Sequence, residues 1–221
     1  MRDEYFEYFI SKFGEATSRV AVPPQDIAKW RGKLPEQLLT YWSEEGWCSY
    51  AKGLFWTVNP EDYEDLVDEW LTDTPLEQAD SFHAIARSAF GDIYICGEQS
   101  GGNITICCSL NAISAIAKSL TPKSDEKKDS SIRSFFAASS LADFDLKDER
   151  GYPLFERALE KLGPLEPDEV YGFEPAIVLG GKMRLENLAK LKLDVHLTIL
   201  RQLASPTLPF SNIDIEKILK S

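Results

Sequence analysis

Residues 54–108 read LFWTVNPEDYEDLVDEWLTDTPLEQADSFHAIARSAFGDIYICGEQSGGNITICC. The segment opens on Leu54-Phe55-Trp56-Thr57-Val58, aromatic and β-branched, which predicts a strand. Asn59-Pro60 then signals a helix start. The Asn59 side chain can accept from a free first-turn amide, and Pro60 suits the first helical position. Tyr63, Leu66, Val67, Trp70 and Leu71 recur at helical spacing and form one apolar stripe. Three short runs follow, Phe82–Arg87, Ile93–Cys96 and Ile104–Cys107, each with strand alternation. Ala89-Phe90-Gly91-Asp92 separates the first two, and Gln99–Asn103 with its Gly-Gly pair separates the last two. Connections this short favour an antiparallel meander.

Outward from this segment, helices dominate. Tyr5, Phe6, Phe9, Ile10 and Phe13 form an amphipathic stripe stopped by Gly14. Val22-Pro23-Pro24 breaks the pattern. Leu34-Pro35-Glu36 starts a second helix with Leu38, Leu39 and Trp42 on its inner face, and Trp47–Tyr50 leads back through Gly53 to the strand. C-terminal to the segment, Ala112, Ile113, Ile116, Ala117 and Leu120 fit a short helix. Thr121–Ser131 is polar and lysine-rich with no large apolar residue, so it reads as a linker or mobile loop. Ile132–Leu141 and Leu154–Leu162 read as helices, and Tyr171–Val178 as extended, closed by Gly180-Gly181. Asp194 is expected to cap a last helix with Val195, Ile199, Leu200 and Leu203 among its apolar members. A weakly helical stretch, Ile213–Leu219, ends the tail. The fold class expected is α+β, an antiparallel sheet packed with amphipathic helices. Two sequence modules, 1–120 and 132–206, flank the linker at 121–131, precede a tail at 207–221, and form one compact body.

The composition supports a large core: 43% of the 221 residues are hydrophobic, with 12 Phe, 8 Tyr and 5 Trp. No apolar run approaches the ~20 residues of a membrane span, and Met1–Tyr5 lacks a signal-peptide pattern. A cytoplasmic protein without membrane contact is therefore expected. Net charge is −12, concentrated at the front. Residues 1–80 hold 17 acids and 7 bases; the remaining 141 hold 19 and 17. Such a chain is a poor phosphate binder, which disfavours direct contact with nucleic acid and favours a basic protein partner.

Catalytic signals are lacking. His83 and His196 have no local motif around them and read as structural. The four cysteines, Cys48, Cys96, Cys107 and Cys108, form no CxxC pair and read as buried thiols. No metal or cofactor site is expected, and the five tryptophans fit apolar stripes. What remains is the acidic face of the helix after Asn59. Glu61, Glu64, Asp65, Asp68 and Glu69 are expected to be exposed, either as a solvated face or as a docking surface for a basic partner.

Several stretches of the first module resemble bacterial GAD-like domains. They are Gly32–Pro35, Leu38–Trp42, Glu45–Trp47, Gly53–Tyr63 and Ala86–Asp92. In the second module, Leu154–Ala158, Leu162–Leu165, Asp168–Ala176 and Leu179–Gly181 are similar to the C-terminal domain of type VI secretion immunity proteins. The paired resemblance implies a non-enzymatic antitoxin that binds a cognate secreted toxin, with two-part proteins of this kind associated with nuclease toxins, often DNases. A general sensor or scaffold module without a toxin is the alternative. The resemblance assigns no interface residue and no oligomeric state.

Overall fold

A computed structural model of the chain describes residues 2–209; the expected Ile213–Leu219 helix lies outside the described residues. In chain order the elements are α1 (Glu4–Phe13), β1 (Ser18–Val20), α2 (Pro24–Trp30), α3 (Glu36–Glu45), β2 (Trp47–Tyr50), β3 (Phe55–Thr57), a 3-10 turn (Pro60–Tyr63) running into α4 (Glu64–Leu71), then β4 (Phe82–Ser88), β5 (Ile93–Gly97), β6 (Asn103–Cys107) and β7 (Ala112–Ser114). The second half contains α5 (Asp125–Ala138), α6 (Leu141–Phe144), α7 (Phe155–Leu162), β8 (Glu169–Phe173), β9 (Leu188–Lys192) and α8 (Leu193–Leu203).

The first seven strands form one antiparallel sheet in the order β1-β2-β3-β4-β5-β6-β7, the meander expected from the short connections. β8 and β9 pair as a separate antiparallel ribbon. One sheet face presents Phe55 and Tyr94 to helices. Phe55 meets Phe9 at 5.6 Å and Phe144 at 4.5 Å between ring centroids, and Tyr94 meets Phe135 at 5.7 Å. Edge and tilted ring contacts of this kind add to the stabilisation from burial. Pairing places Trp56 of β3 directly opposite Arg87 of β4, on the other face.

The second module completes this core. Phe136 of α5 is buried against Phe6, Phe9 and Tyr41, each at 5.2–5.3 Å. Trp70 Nε1 of α4 donates to Leu197 O of α8 at 3.2 Å, and Tyr171 N of β8 donates to Ala89 O at 2.9 Å. The two modules share one apolar interior, as expected.

Four local readings need correction. The polar run Thr121–Ser131 is not a linker for most of its length: α5 begins at Asp125. Asp125 and Glu126 sit in its first turn, where the helix dipole favours acids. Hydrogen bonds rather than apolar contacts anchor this polar run, from Lys128 Nζ to Glu98 O at 3.2 Å and from Gln37 N to Asp129 Oδ1 at 2.9 Å. The segment from Ala112 opens as a strand. Asn111 adopts a left-handed conformation at φ 48°, so Ile113 returns to pair with Ile106, and a 3-10 turn covers Ala117–Leu120. α8 begins at Leu193, which leaves Asp194 inside the first turn rather than at the cap. Its buried residues are Leu193, Leu197 and Leu200, while Val195, Ile199 and Leu203 are exposed. Finally, Tyr171–Val178 is not extended throughout: β8 ends at Phe173, and a 3-10 turn covers Ile177–Leu179.

Candidate functional site

The acidic helix is built as its sequence requires. Asn59 Oδ1 accepts from Glu61 N at 3.4 Å, and Pro60 begins the 3-10 turn. Leu66, Val67, Trp70 and Leu71 are buried, which turns Glu64, Asp65 and Asp68 outward. These three side chains are exposed and have no hydrogen-bond or ion-pair partner among the described residues.

They line a cleft of about 520 Å³. Leu71, Thr72, Glu77, Asp80, Ser81, Phe82 and His83 complete its lining. The lining thus carries five carboxylates and neither lysine nor arginine. Walls of low dielectric focus such a field, so the cleft attracts cationic groups more strongly than a flat face would. Not all five acids are free. Asp80 Oδ2 accepts from Ser100 N at 2.7 Å, and Glu77 Oε2 accepts from Asp73 N at 3.0 Å.

The other two sequence candidates lie elsewhere. Glu61 pairs with Lys29 of α2. Glu69 is half-buried, not largely exposed as expected. It faces α8, where Gln202 Nε2 donates to its carboxylate at 3.4 Å and Arg201 Nε donates to its backbone carbonyl at 3.0 Å. Docking of the second module therefore splits the acidic face into a cleft-lining part and a packed part. Glu77 and Asp80 were missed as cleft residues. Their only signal was that acids continue past the helix through Thr74-Pro75.

The remaining candidates are structural in their surroundings. His83 Nε2 lies 2.9 Å from Glu98 Oε1, and the ring packs edge-on against Trp30 at 4.7 Å. His196 lies against Gly172, where any Cβ would meet its ring, and burial lowers its pKa. Cys48, Cys96 and Cys108 are buried and Cys107 is half-buried, all free; burial raises each thiol pKa. Among the described residues no group of three or more His, Cys, Asp or Glu could hold a metal, and no helix is long and apolar enough to cross a membrane.

No curated protein sequence matches the chain. A crystal structure of Atu4351 from Agrobacterium tumefaciens superposes with a TM-score of 0.78 at 25% identity, over 90% of this chain and 89% of that one. Residues 4–110 match the GAD-like domain, and residues 129–204 match the C-terminal domain of the T6SS immunity protein Tdi1. The chain thus joins a GAD-like domain to a type VI secretion immunity-protein C-terminal domain, an architecture that supports an immunity role against a type VI effector.

Proposed function

We propose that the chain neutralises a cognate type VI effector by direct binding, and that the cleft walled by Glu64, Asp65 and Asp68 takes a basic segment of that toxin. The observation that carries the reading is three unpaired carboxylates facing a cleft that contains no lysine or arginine. A nuclease is the toxin class that fits, because its working face must attract phosphates. An acidic protein mimics the charge of that substrate, steers onto the same face and covers it. Occlusion needs shape and charge and no proton transfer, so no catalytic group is assigned.

Co-expression with the product of a neighbouring toxin gene tests the whole reading. Rescue of growth and a stable purified complex are expected. Absence of both rescue and complex refutes it. The cleft is tested by the triple variant E64K/D65K/D68K. Its association rate at low salt should fall by on the order of tenfold or more, with thermal stability near that of the wild type. An unchanged rate removes the cleft from the interface while leaving immunity itself standing.

A further inference from the structure

One side of α8 is left apolar. Its core side is fixed by Leu193, Leu197 and Leu200, which are buried. Arg201 holds it from the flank, where Nε and Nη2 donate to the carbonyls of Glu69 and Thr72 at 3.0 and 2.8 Å. Val195, Ile199 and Leu203 recur at four-residue spacing, so they form a single row on the opposite side. They are 57%, 48% and 40% exposed. A surface helix ordinarily gives that side to charged and polar residues. Here the exposed positions of α8 are these three with Asp194 and Gln202.

Neighbouring turns add to the apolar surface. The 3-10 turn Cys108–Leu110 packs against α8 and against the 3-10 turn Ile177–Leu179, and Leu110 and Leu179 are exposed as well. Grouped apolar residues on so charged a chain mark a surface that another segment covers. A second copy suits it poorly. Two chains of net charge −12 repel each other, and a row of three side chains falls short of the about 800 Å² per partner that a stable interface buries. A basic partner of the kind that suits the acidic cleft finds a single carboxylate, Asp194, among the exposed positions of α8.

The chain itself is brought to this place. Past α8, Asn111 Nδ2 donates to Ala204 O and Ser205 O at 2.9 and 3.3 Å. Thr207 N donates to Asn111 O at 2.9 Å, and Ile113 N donates to Thr207 O at 2.8 Å. These bonds pin residues 204–207 beside Leu110, at the Leu203 end of the row. Residues 210–221, FSNIDIEKILKS, come next, outside the stretches that match either family domain. Their order suits a short helix. Asn212 is a capping residue, Asp214 and Glu216 fall in the first turn and Lys217 and Lys220 in the last, as the helix dipole favours, and Glu216 precedes Lys220 by four. On such a helix Ile215, Ile218 and Leu219 share one side and Lys217 lies on the other. It would span ~14 Å, against ~12 Å from Val195 to Leu203. The connection 204–211 has a length that joins antiparallel helices.

We propose that residues 210–221 form a short amphipathic helix that folds back antiparallel along α8, with Ile215, Ile218 and Leu219 on Val195, Ile199 and Leu203. The contact is intramolecular, so it carries a loop-closure cost in place of the larger cost of joining two molecules. It removes the apolar row from water and from other chains. The acidic cleft stays open, because no residue of α8 lines it.

Cysteine pairs test this on the full chain, with the half-buried Cys107 replaced by serine. Ile199 is exposed, so I199C leaves the core intact; it is combined in turn with I215C, I218C, L219C and K217C. Under mild oxidation at least one of the first three should close a disulfide within the chain about tenfold or more faster than K217C, because a docked helix presents one side whereas a loose tail presents all four positions at one effective concentration. Intact mass and non-reducing size exclusion separate closure within a chain from joining of two chains. A chain ending at Pro209 gives a second reading. It should keep the circular dichroism of a folded protein and raise the fluorescence of the apolar-surface dye ANS by about twofold or more, whereas loss of a loose tail would lower it. Closure at K217C as fast as at the other three overturns the proposal. So do disulfides that only join two chains, or dye fluorescence that truncation leaves unchanged or lower.

Discussion

Asp92 shows how one turn residue ties stability to pH. Its carboxyl is buried beside Cys108 and the Gly91 turn, and desolvation pushes its pKa up to about 7 from 3.8, with a backbone hydrogen bond from Cys108 opposing. Between about pH 4 and pH 7 the native state therefore keeps a proton that the unfolded chain has lost, so wild-type stability falls as pH rises through that window. Asparagine cannot ionise. The advantage of D92N over wild type should then grow from pH 5 to pH 8 by roughly 2 kcal/mol, read from urea unfolding at each pH; a flat difference would mean that Asp92 titrates as an ordinary carboxyl. Glu45 has the opposite slope. It is 6% exposed and takes Arg2 at 2.7 Å and Arg19 at 2.5 Å, and the hydrogen bond from Arg2 leads the causes that lower its pKa from 4.5. Its contribution is present above about pH 4.5 and is lost as pH falls below it. E45Q should cost about 2 kcal/mol near neutrality, a buried-pair value discounted for the exposed Arg19, and less in acid.

At the scale of elements, α4 carries a face that two neighbours have divided. Its inner side is fixed by Trp70, fully buried and hydrogen-bonded to Leu197; W70A should cost about 3–5 kcal/mol, measured by chemical denaturation. Its outer side supplies the unpaired acids, so E64K/D65K/D68K tests binding while W70A tests folding. Where two-residue alternation or a helical stripe was bounded by glycine, proline or a cap, the sequence was sufficient, as at Phe6–Phe13, Leu54–Val58 and the β4–β6 run. It failed where anchoring is polar. Asp125–Ser131 resembles a loop because its contacts are lysine and aspartate to backbone, which hydropathy does not register. At Ala112–Leu120 the apolar spacing suited a helix, and the left-handed turn at Asn111 with pairing to β6 overrode it. In the candidate site the part of the lining that α4 supplies was legible from α4 alone. The rest of the acidic lining, Glu77 and Asp80, depends on the chain folding back toward β4, and the packing of Glu69 depends on α8 arriving from more than a hundred residues away.

For the whole molecule, the two modules are joined by buried rings and by backbone hydrogen bonds. A single cooperative unfolding transition is expected, and F136A should lower its midpoint without splitting it, at a cost of about 3–5 kcal/mol. Calorimetry checks both. Cleavage in the short non-helical stretch at 121–124 should leave the fragments associated on a native sizing column; free separation of two folded pieces would refute the shared interior. The strict nearest-neighbour order of the seven strands has a further consequence for synthesis. A nascent chain can pair each strand with the one just made, so the sheet can form as it leaves the ribosome. Its aromatic face has only α1 to cover it at that point, because Phe136 and Phe144 emerge about 80–90 residues after Phe55. At roughly 5–20 residues per second, Phe55 waits on the order of ten seconds for its lid and Tyr94 about half as long, an interval in which the half-made sheet shows water an aromatic face that the finished protein hides.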